Sequence, residues 1–235
     1  MKNSKMLDRL GKDIYILPDY LNHSEEEVWS MFLQGKYRLF LFELPGHKKE
    51  EKREKPLEFS QFAHSLEEKI LEDPNRIVLI ASGLLSVLAL ELAYKYPNKI
   101  IQCILISPIF TESRFKQFLL RVKNIYNWLK KEKVGIFQIK AIFQTRSLYN
   151  NLVKKISLLK NLKLDTNVIF ILSAKKHFLN DFQTKNSLDI SKNAEVFRFR
   201  NSSTDINKND WRFKRLIFEI LNRKKEGRSF FSNLF

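Results

Sequence analysis

Residues Arg76 to Pro97 read RIVLIASGLLSVLALELAYKYP and combine a strand pattern with a helix pattern. The run Ile77-Val78-Leu79-Ile80 is typical of a strand that is buried on both faces of a sheet. Three small residues, Ala81-Ser82-Gly83, follow at once. Leucines spaced three or four residues apart then predict a helix, which ends before Pro97 because proline cannot continue it. The stretch therefore predicts a strand, a tight turn and a helix.

The stretch and its neighbours resemble the α/β-hydrolase family. Residues 89–97 (ALELAYKYP) and 104–108 (ILISP) look like the family's elbow helix and the strand after it. Upstream, residues 42–47 (FELPGH) resemble the family's Asp-Leu-Pro-Gly-His-Gly segment. The resemblance covers the chain from about residue 13 onward. It implies an α/β fold of α/β-hydrolase type, with a mainly parallel sheet, helices on both faces and a helical cap insertion.

The remaining apolar patterns agree with that organisation. Short apolar runs predict further strands at residues 13–17, 38–43, 100–107, 167–173 and 194–200. Alternation of strands with helical patterns indicates a parallel sheet covered on both faces. Apolar residues recur every three or four positions between residues 111 and 160, which predicts helices there. We expect a core domain made of residues 1–110 and 166–235, with residues 111–165 forming a basic helical cap.

The resemblance also locates the family's catalytic elbow. Counted back from Pro97, the Gly-x-Ser-x-Gly motif falls on residues 81–85 (ASGLL), so the nucleophile position is Gly83. In this family the elbow residue has a positive φ, which glycine adopts at little cost. Gly83 would therefore keep the turn without providing a nucleophile.

The other catalytic positions implied by the resemblance also differ from the family pattern. The position of the acid lies nearest to His177, and the histidine position falls on Thr204 or Asp205. No histidine follows His177. The amides expected to line an oxyanion hole belong to Tyr20, Leu21 and Leu84.

Two functions follow from these positions. The first is a non-catalytic protein of this fold that binds a small acyl-type or other apolar-anionic ligand, or a protein partner. The second is a carboxylesterase or thioesterase with displaced residues, in which Ser82 is the nucleophile and His177 the base. Whether the protein is an enzyme stays open at this stage.

The chain is strongly basic, with a formal net charge of +16. Residues 111–160 contain twelve Lys/Arg and only two acidic residues, Glu112 and Glu132, so this segment carries +10. Three of its lysines, Lys130, Lys131 and Lys133, are candidates for contact with an anionic ligand or an anionic membrane surface. A solvated helical face and a compositional bias toward lysine are the favoured explanations of this charge. Charge alone supports a third function, that of a basic protein that binds a membrane surface or nucleic acid, and nucleic acid is the less favoured of these partners.

The amino-acid composition and the sequence motifs limit which cross-links, metal sites, membrane spans and cofactors we expect. Cys103, the single cysteine, lies in an apolar strand pattern, so neither a disulfide framework nor a cysteine metal site can form. No apolar run is long enough for a membrane span, and the first residues lack the apolar centre of a signal peptide. We therefore expect a cytoplasmic protein. The absence of a phosphate-binding glycine loop, a nucleotide fingerprint and metal-ligand spacing predicts no cofactor and no metal.

Overall fold

Six strands form one parallel sheet in the computed structural model, which describes residues 12–18, 29, 33, 37–42, 59–108, 151, 154–155, 163–173, 190–199, 206 and 208–223. The strands are β1 (Lys12–Leu17), β2 (Arg38–Leu41), β3 (Arg76–Ser82), β4 (Ile100–Ile106), β5 (Asn167–Ser173) and β6 (Ala194–Phe199). Their order is β2-β1-β3-β4-β5-β6, and every neighbouring pair is parallel. The mainly parallel α/β sheet predicted from the sequence is confirmed.

The carboxyl ends of two strands differ from the predicted ones. β2 ends at Leu41, so the strand pattern that we extended to Glu43 is too long. β4 ends at Ile106 because Ser107 has a φ of 44°, which is incompatible with an extended strand.

Side chains that alternate along each strand build two separate cores. Leu79 of β3 faces the side of the sheet covered by helices α1 (Phe59–Glu72) and α2 (Ser86–Lys95). Val78 and Ile80 face the opposite side, which is covered by helix α3 (Trp211–Asn222) and by Trp29 and Leu33. Because successive strand residues point to opposite faces, a strand buried on both sides must be apolar throughout. This is why residues 77–81 contain no polar side chain.

The order of the strands places a topological switch between β1 and β3. The chain runs outward from β1 to β2, then returns past β1 to β3 and continues in the other direction. In open α/β sheets, ligands bind beyond the carboxyl ends of the strands at such a point. The carboxyl ends here are Leu17 of β1 and Ser82 of β3, which are nearly level because Leu17 pairs with Ala81.

A buried polar cluster lies at the other edge of the sheet, at the amino ends of β1, β2 and β3. Asp13 and Asp73 both have side chains that are 1% exposed, and both form ion pairs with Arg38. The Tyr15 hydroxyl donates a hydrogen bond to Asp73 Oδ2 at 2.9 Å. Burial, followed by this hydrogen bond, raises the pKa of Tyr15. The cluster lies at the edge opposite to Ser82 and joins β1 and β2 to the turn before β3.

The predicted helical cap lies largely outside the described residues, since only 151, 154–155 and 163–165 of residues 111–165 are described. Residues 151 and 154–155 are helical. Lys155 Nζ forms an ion pair with Glu91 of α2 at 2.5 Å, so this part of the segment contacts the helix after the elbow. Lys130, Lys131 and Lys133 are outside the described residues, and the two-part domain division stays a prediction. No helix in the described portion is long and apolar enough to cross a membrane.

Candidate functional site

The turn between β3 and α2 has the geometry of a nucleophile elbow. β3 ends at Ser82, Gly83 follows with a φ of 57°, and a single 3₁₀ turn (Gly83–Leu85) leads into α2. A positive φ is easy for glycine and costly for residues with a Cβ atom. Gly83 thus occupies the tip of the turn, where it provides no hydroxyl or thiol group. Leu84, whose amide is one of the predicted oxyanion-hole donors, comes directly after it and is buried.

Ser82 lies one residue before the tip, and a lysine is bonded to it. Lys208 Nζ donates a hydrogen bond to Ser82 Oγ at 2.8 Å. Ser82 is 2% exposed, whereas Lys208 is half-buried. By the alternation along β3, Ser82 shares the face of Val78 and Ile80, on which α3 packs. Lys208 lies just before α3, which explains why it reaches this side of the elbow rather than the side of α2.

Further serines mark the carboxyl ends of the neighbouring strands. Ser82 pairs with Ile106 in the β3–β4 register, so Ser107 follows at the end of the adjacent strand. Ser107 adopts a φ of 44°, and its Oγ is buried with no hydrogen-bond partner among the described residues. Ser173 ends β5 and is also buried. The carboxyl edge of the sheet from β3 to β5 is therefore lined by hydroxyl groups within an apolar core.

Comparison with known proteins supports this geometry at the level of the fold. No family model matches the sequence, and no curated protein matches it either. Solved structures do match: a Paleococcus ferrophilus monoacylglycerol lipase has 13% identity and a TM-score of 0.62 over 89% of this chain and 93% of its own. MGS-M2, an α/β hydrolase enzyme from a Medee basin deep-sea metagenome library, has 15% identity and a TM-score of 0.64 over 93% and 92%.

A thioesterase, RedJ from the prodiginine biosynthetic pathway of Streptomyces coelicolor, gives a similar result. It has 11% identity and a TM-score of 0.60 over 91% of this chain and 85% of its own. The chain has the α/β-hydrolase fold. At these identities the likeness concerns the fold, and it does not extend to the chemistry.

Within the α/β-hydrolase fold, the described residues include only part of the predicted site. Gly83, Ser82 and Leu84 are adjacent at the elbow, as the sequence predicts. The displaced base His177 lies outside the described residues, and so do Tyr20 and Leu21. Thr204 and Asp205, which stand at the histidine position, are outside them as well. The loss of the catalytic triad therefore stays a prediction, and so does the alternative that Ser82 and His177 replace it.

Sequence analysis missed Lys208. The position that the resemblance gives to the catalytic histidine falls on Thr204 or Asp205, and Asp205 is three residues before this lysine. The signal that could have found it is its location in the loop between the last strand and the last helix. That loop carries the catalytic histidine in the α/β-hydrolase family, to which the sequence bears a resemblance. A cation in this loop was therefore a candidate for contact with the elbow.

Two other reactive side chains have structural environments. Cys103 is fully buried, its Sγ lies 3.8 Å from the carbonyl oxygen of Ala89, and burial raises the pKa of its thiol. A buried thiol with a raised pKa is a poor nucleophile. His64 is exposed on α1, where it pairs with Glu68. Neither side chain contributes to the elbow.

The described residues contain no group of three or more His, Cys, Asp or Glu that could hold a metal ion. Among the residues that the structure describes, the polar side chains found at the elbow carry hydroxyls and an ammonium. This set offers hydrogen-bond donors and positive charge, which suit an anion.

Proposed function

We propose that this protein is a non-catalytic protein of the α/β-hydrolase fold that binds an acyl or other apolar-anionic ligand at the carboxyl edge of its sheet. The observation that carries the proposal is Gly83, which occupies the tip of the elbow with a φ of 57°. Glycine keeps the turn and has no side chain that could act as the nucleophile at this position. Two structural neighbours named monoacylglycerol lipase and thioesterase act on acyl compounds, which supports that ligand class.

Hydrolysis of short p-nitrophenyl esters tests the non-catalytic part of the proposal. We expect the purified protein to hydrolyse them no faster than its Ser82→Ala variant. Gly83→Ser should gain little activity, because a serine hydroxyl is a weak nucleophile until a positioned base takes its proton. Turnover by the unmodified protein that disappears in Ser82→Ala or His177→Ala would instead establish an enzyme with displaced residues.

The displaced-residue enzyme is the second candidate, and the bond between Ser82 and Lys208 favours it. Serine paired with lysine is a known variant of the serine-hydrolase machinery. In that case the base would be Lys208 and not the predicted His177. The esterase assay with Lys208→Met beside His177→Ala identifies which of the two residues supports any activity that is found.

A further inference from the structure

We propose that Lys208 and Ser82 form a subsite that binds the carboxylate group of the ligand. The inference rests on the proposed ligand-binding function and specifies the charged end of the molecule that is bound. It starts from one hydrogen bond, that of Lys208 Nζ to Ser82 Oγ at 2.8 Å. The pair joins residues 126 positions apart in the chain.

Lys208 is held in place by the residues on both sides of it. Ile206 is 8% exposed and packs into the core on the α3 face of the sheet. Asp210 is the N-cap of α3, and its Oδ1 accepts a hydrogen bond from the amide of Arg212 at 2.9 Å. Two strands separate β3 from β6, a distance of about 14 Å at the usual strand spacing. This exceeds the reach of a lysine side chain, so the backbone at Lys208 lies closer to β3 than β6 does.

The chemistry of the pair matches a carboxylate. The lysine contributes a positive charge and N–H donors. The Ser82 hydroxyl accepts one of these donors and keeps its own O–H to donate. One carboxylate oxygen can therefore bind the ammonium while the other accepts from the hydroxyl, in hydrogen bonds strengthened by charge. The low exposure of Ser82 strengthens such contacts further, because water screens them less.

The surroundings of Ser82 match a ligand whose carboxylate is attached to an apolar chain. Its chain neighbours are Ala81 and Gly83, Ile106 of β4 pairs with it, and Leu17 of β1 pairs with Ala81. Ser107, the residue after Ile106, has a buried hydroxyl with no partner among the described residues. A non-glycine residue with a positive φ is uncommon and is often associated with a functional site. We include Ser107 Oγ as a further donor toward the same carboxylate.

Binding of dodecanoate and dodecanol, measured by titration calorimetry, tests the subsite. The two probes share one apolar chain, and only the first has a carboxylate. We expect the unmodified protein to bind dodecanoate at least about tenfold more tightly than dodecanol, a difference of about 1.4 kcal/mol. Lys208→Met should abolish that preference, because it weakens dodecanoate binding much more than dodecanol binding. Ser82→Ala and Ser107→Gly should each reduce it by a smaller factor.

Two variants control for charge and folding. Lys192 is exposed in the turn before β6, at the opposite edge of the sheet, so Lys192→Met removes the same charge far from the elbow. We expect this variant to keep the preference for dodecanoate. Lys208→Arg keeps the positive charge and should retain most of the preference. If Lys208→Met fails to fold by circular dichroism, Lys208→Gln, which is polar but uncharged, takes its place and should also lose the preference.

Other results of these binding and esterase experiments distinguish an error in the subsite from an error in the proposed function. If the protein binds both probes and Lys208→Met leaves the preference intact, the subsite is wrong while the ligand-binding function stands. If neither probe binds, the acyl-ligand function itself is contradicted. Equal competition by inorganic phosphate would show a general anion site and overturn the assignment to carboxylate. Loss of ester turnover in Lys208→Met would make the pair catalytic and overturn the non-catalytic proposal.

Discussion

Gly83 has a backbone conformation that most residues adopt only at a cost in free energy. At a φ of 57°, a Cβ atom approaches the following carbonyl oxygen. The residue is also buried, so a new side chain would have to fit among packed neighbours. A glycine at the tip therefore preserves the turn that joins β3 to α2 and aligns the carboxyl edge of the sheet.

Substitution of Gly83 should lower the free energy of unfolding in proportion to this backbone cost. We expect Gly83→Ala to lose about 1–2 kcal/mol, measured by urea denaturation. Gly83→Asn should lose less through the backbone, because asparagine tolerates the left-handed region better. The converse change, Ser107→Gly, removes a Cβ atom from a residue at a φ of 44° and should cost little or nothing. Equal stability of all four proteins would show that the turn is not strained.

At the scale of elements, α3 connects the elbow to the core on its own face of the sheet. Phe213, Leu216 and Ile217 are buried against Val78 and Ile80 of β3. The helix begins immediately after the segment that carries Lys208, and Asp210 caps its first turn. The stability of the N-terminal turn therefore affects how firmly Lys208 is held near Ser82.

Loss of the cap at Asp210 should weaken both the fold and the proposed subsite. We expect Asp210→Ala to lower the free energy of unfolding by about 1 kcal/mol, since an unsatisfied amide remains at the helix start. Asp210→Asn keeps a side-chain oxygen for the cap and should lose less. Chemical denaturation of both variants at neutral pH makes the comparison. A loss in Asp210→Asn as large as that in Asp210→Ala would contradict the capping role.

The same residue predicts a dependence of stability on pH. Hydrogen bonds from Arg212 lower the pKa of Asp210 below its ordinary value of 3.8. A carboxyl group with a lowered pKa stabilises the fold above its unfolded pKa, and this contribution is lost as pH falls through the folded pKa. We expect the stability difference between the unmodified protein and Asp210→Asn to shrink below about pH 4. A difference that stays constant through that range would contradict the shift.

At the scale of the whole molecule, the charge of the protein is unevenly distributed. Residues 111–160 carry +10 of the total +16. Positive charge on one segment attracts anionic ligands and anionic membranes over distances of about a Debye length. The carboxylate subsite at Lys208 and Ser82 has the same preference for negative charge.

Replacement of three lysines in the predicted cap tests whether that charge has a role. We expect Lys130→Gln, Lys131→Gln and Lys133→Gln together to weaken sedimentation with anionic vesicles, and added salt to weaken it further. A control triple outside the predicted cap, at Lys95, Lys192 and Lys214, removes the same charge elsewhere. Equal effects of the two triples would indicate a response to net charge alone. If the unmodified protein does not bind the anionic vesicles, these three lysines are interpreted as part of a solvated helical face.

Local periodicity in the sequence determined the elements of this fold. Apolar runs and helical spacings reflect backbone geometry within a few residues, so residues 76–97 alone predict β3, a tight turn and α2. The resemblance to the α/β-hydrolase family assigns the tip of that turn to Gly83. Proline at position 97 predicts the end of α2, which is observed at Lys95. The parallel sheet follows from the alternation of strands and helices.

The tertiary structure alone decided which distant residues meet. The bond between Ser82 and Lys208 depends on the order of four strands and on the face of the sheet that α3 covers. The ion pairs of Arg38 with Asp13 and Asp73 likewise depend on β1 lying between β2 and β3. Local patterns determine which residues form a strand or a helix, but long-range packing determines strand order. The contact of Lys208 with Ser82, 126 residues away in the chain, could therefore be identified only from the folded structure.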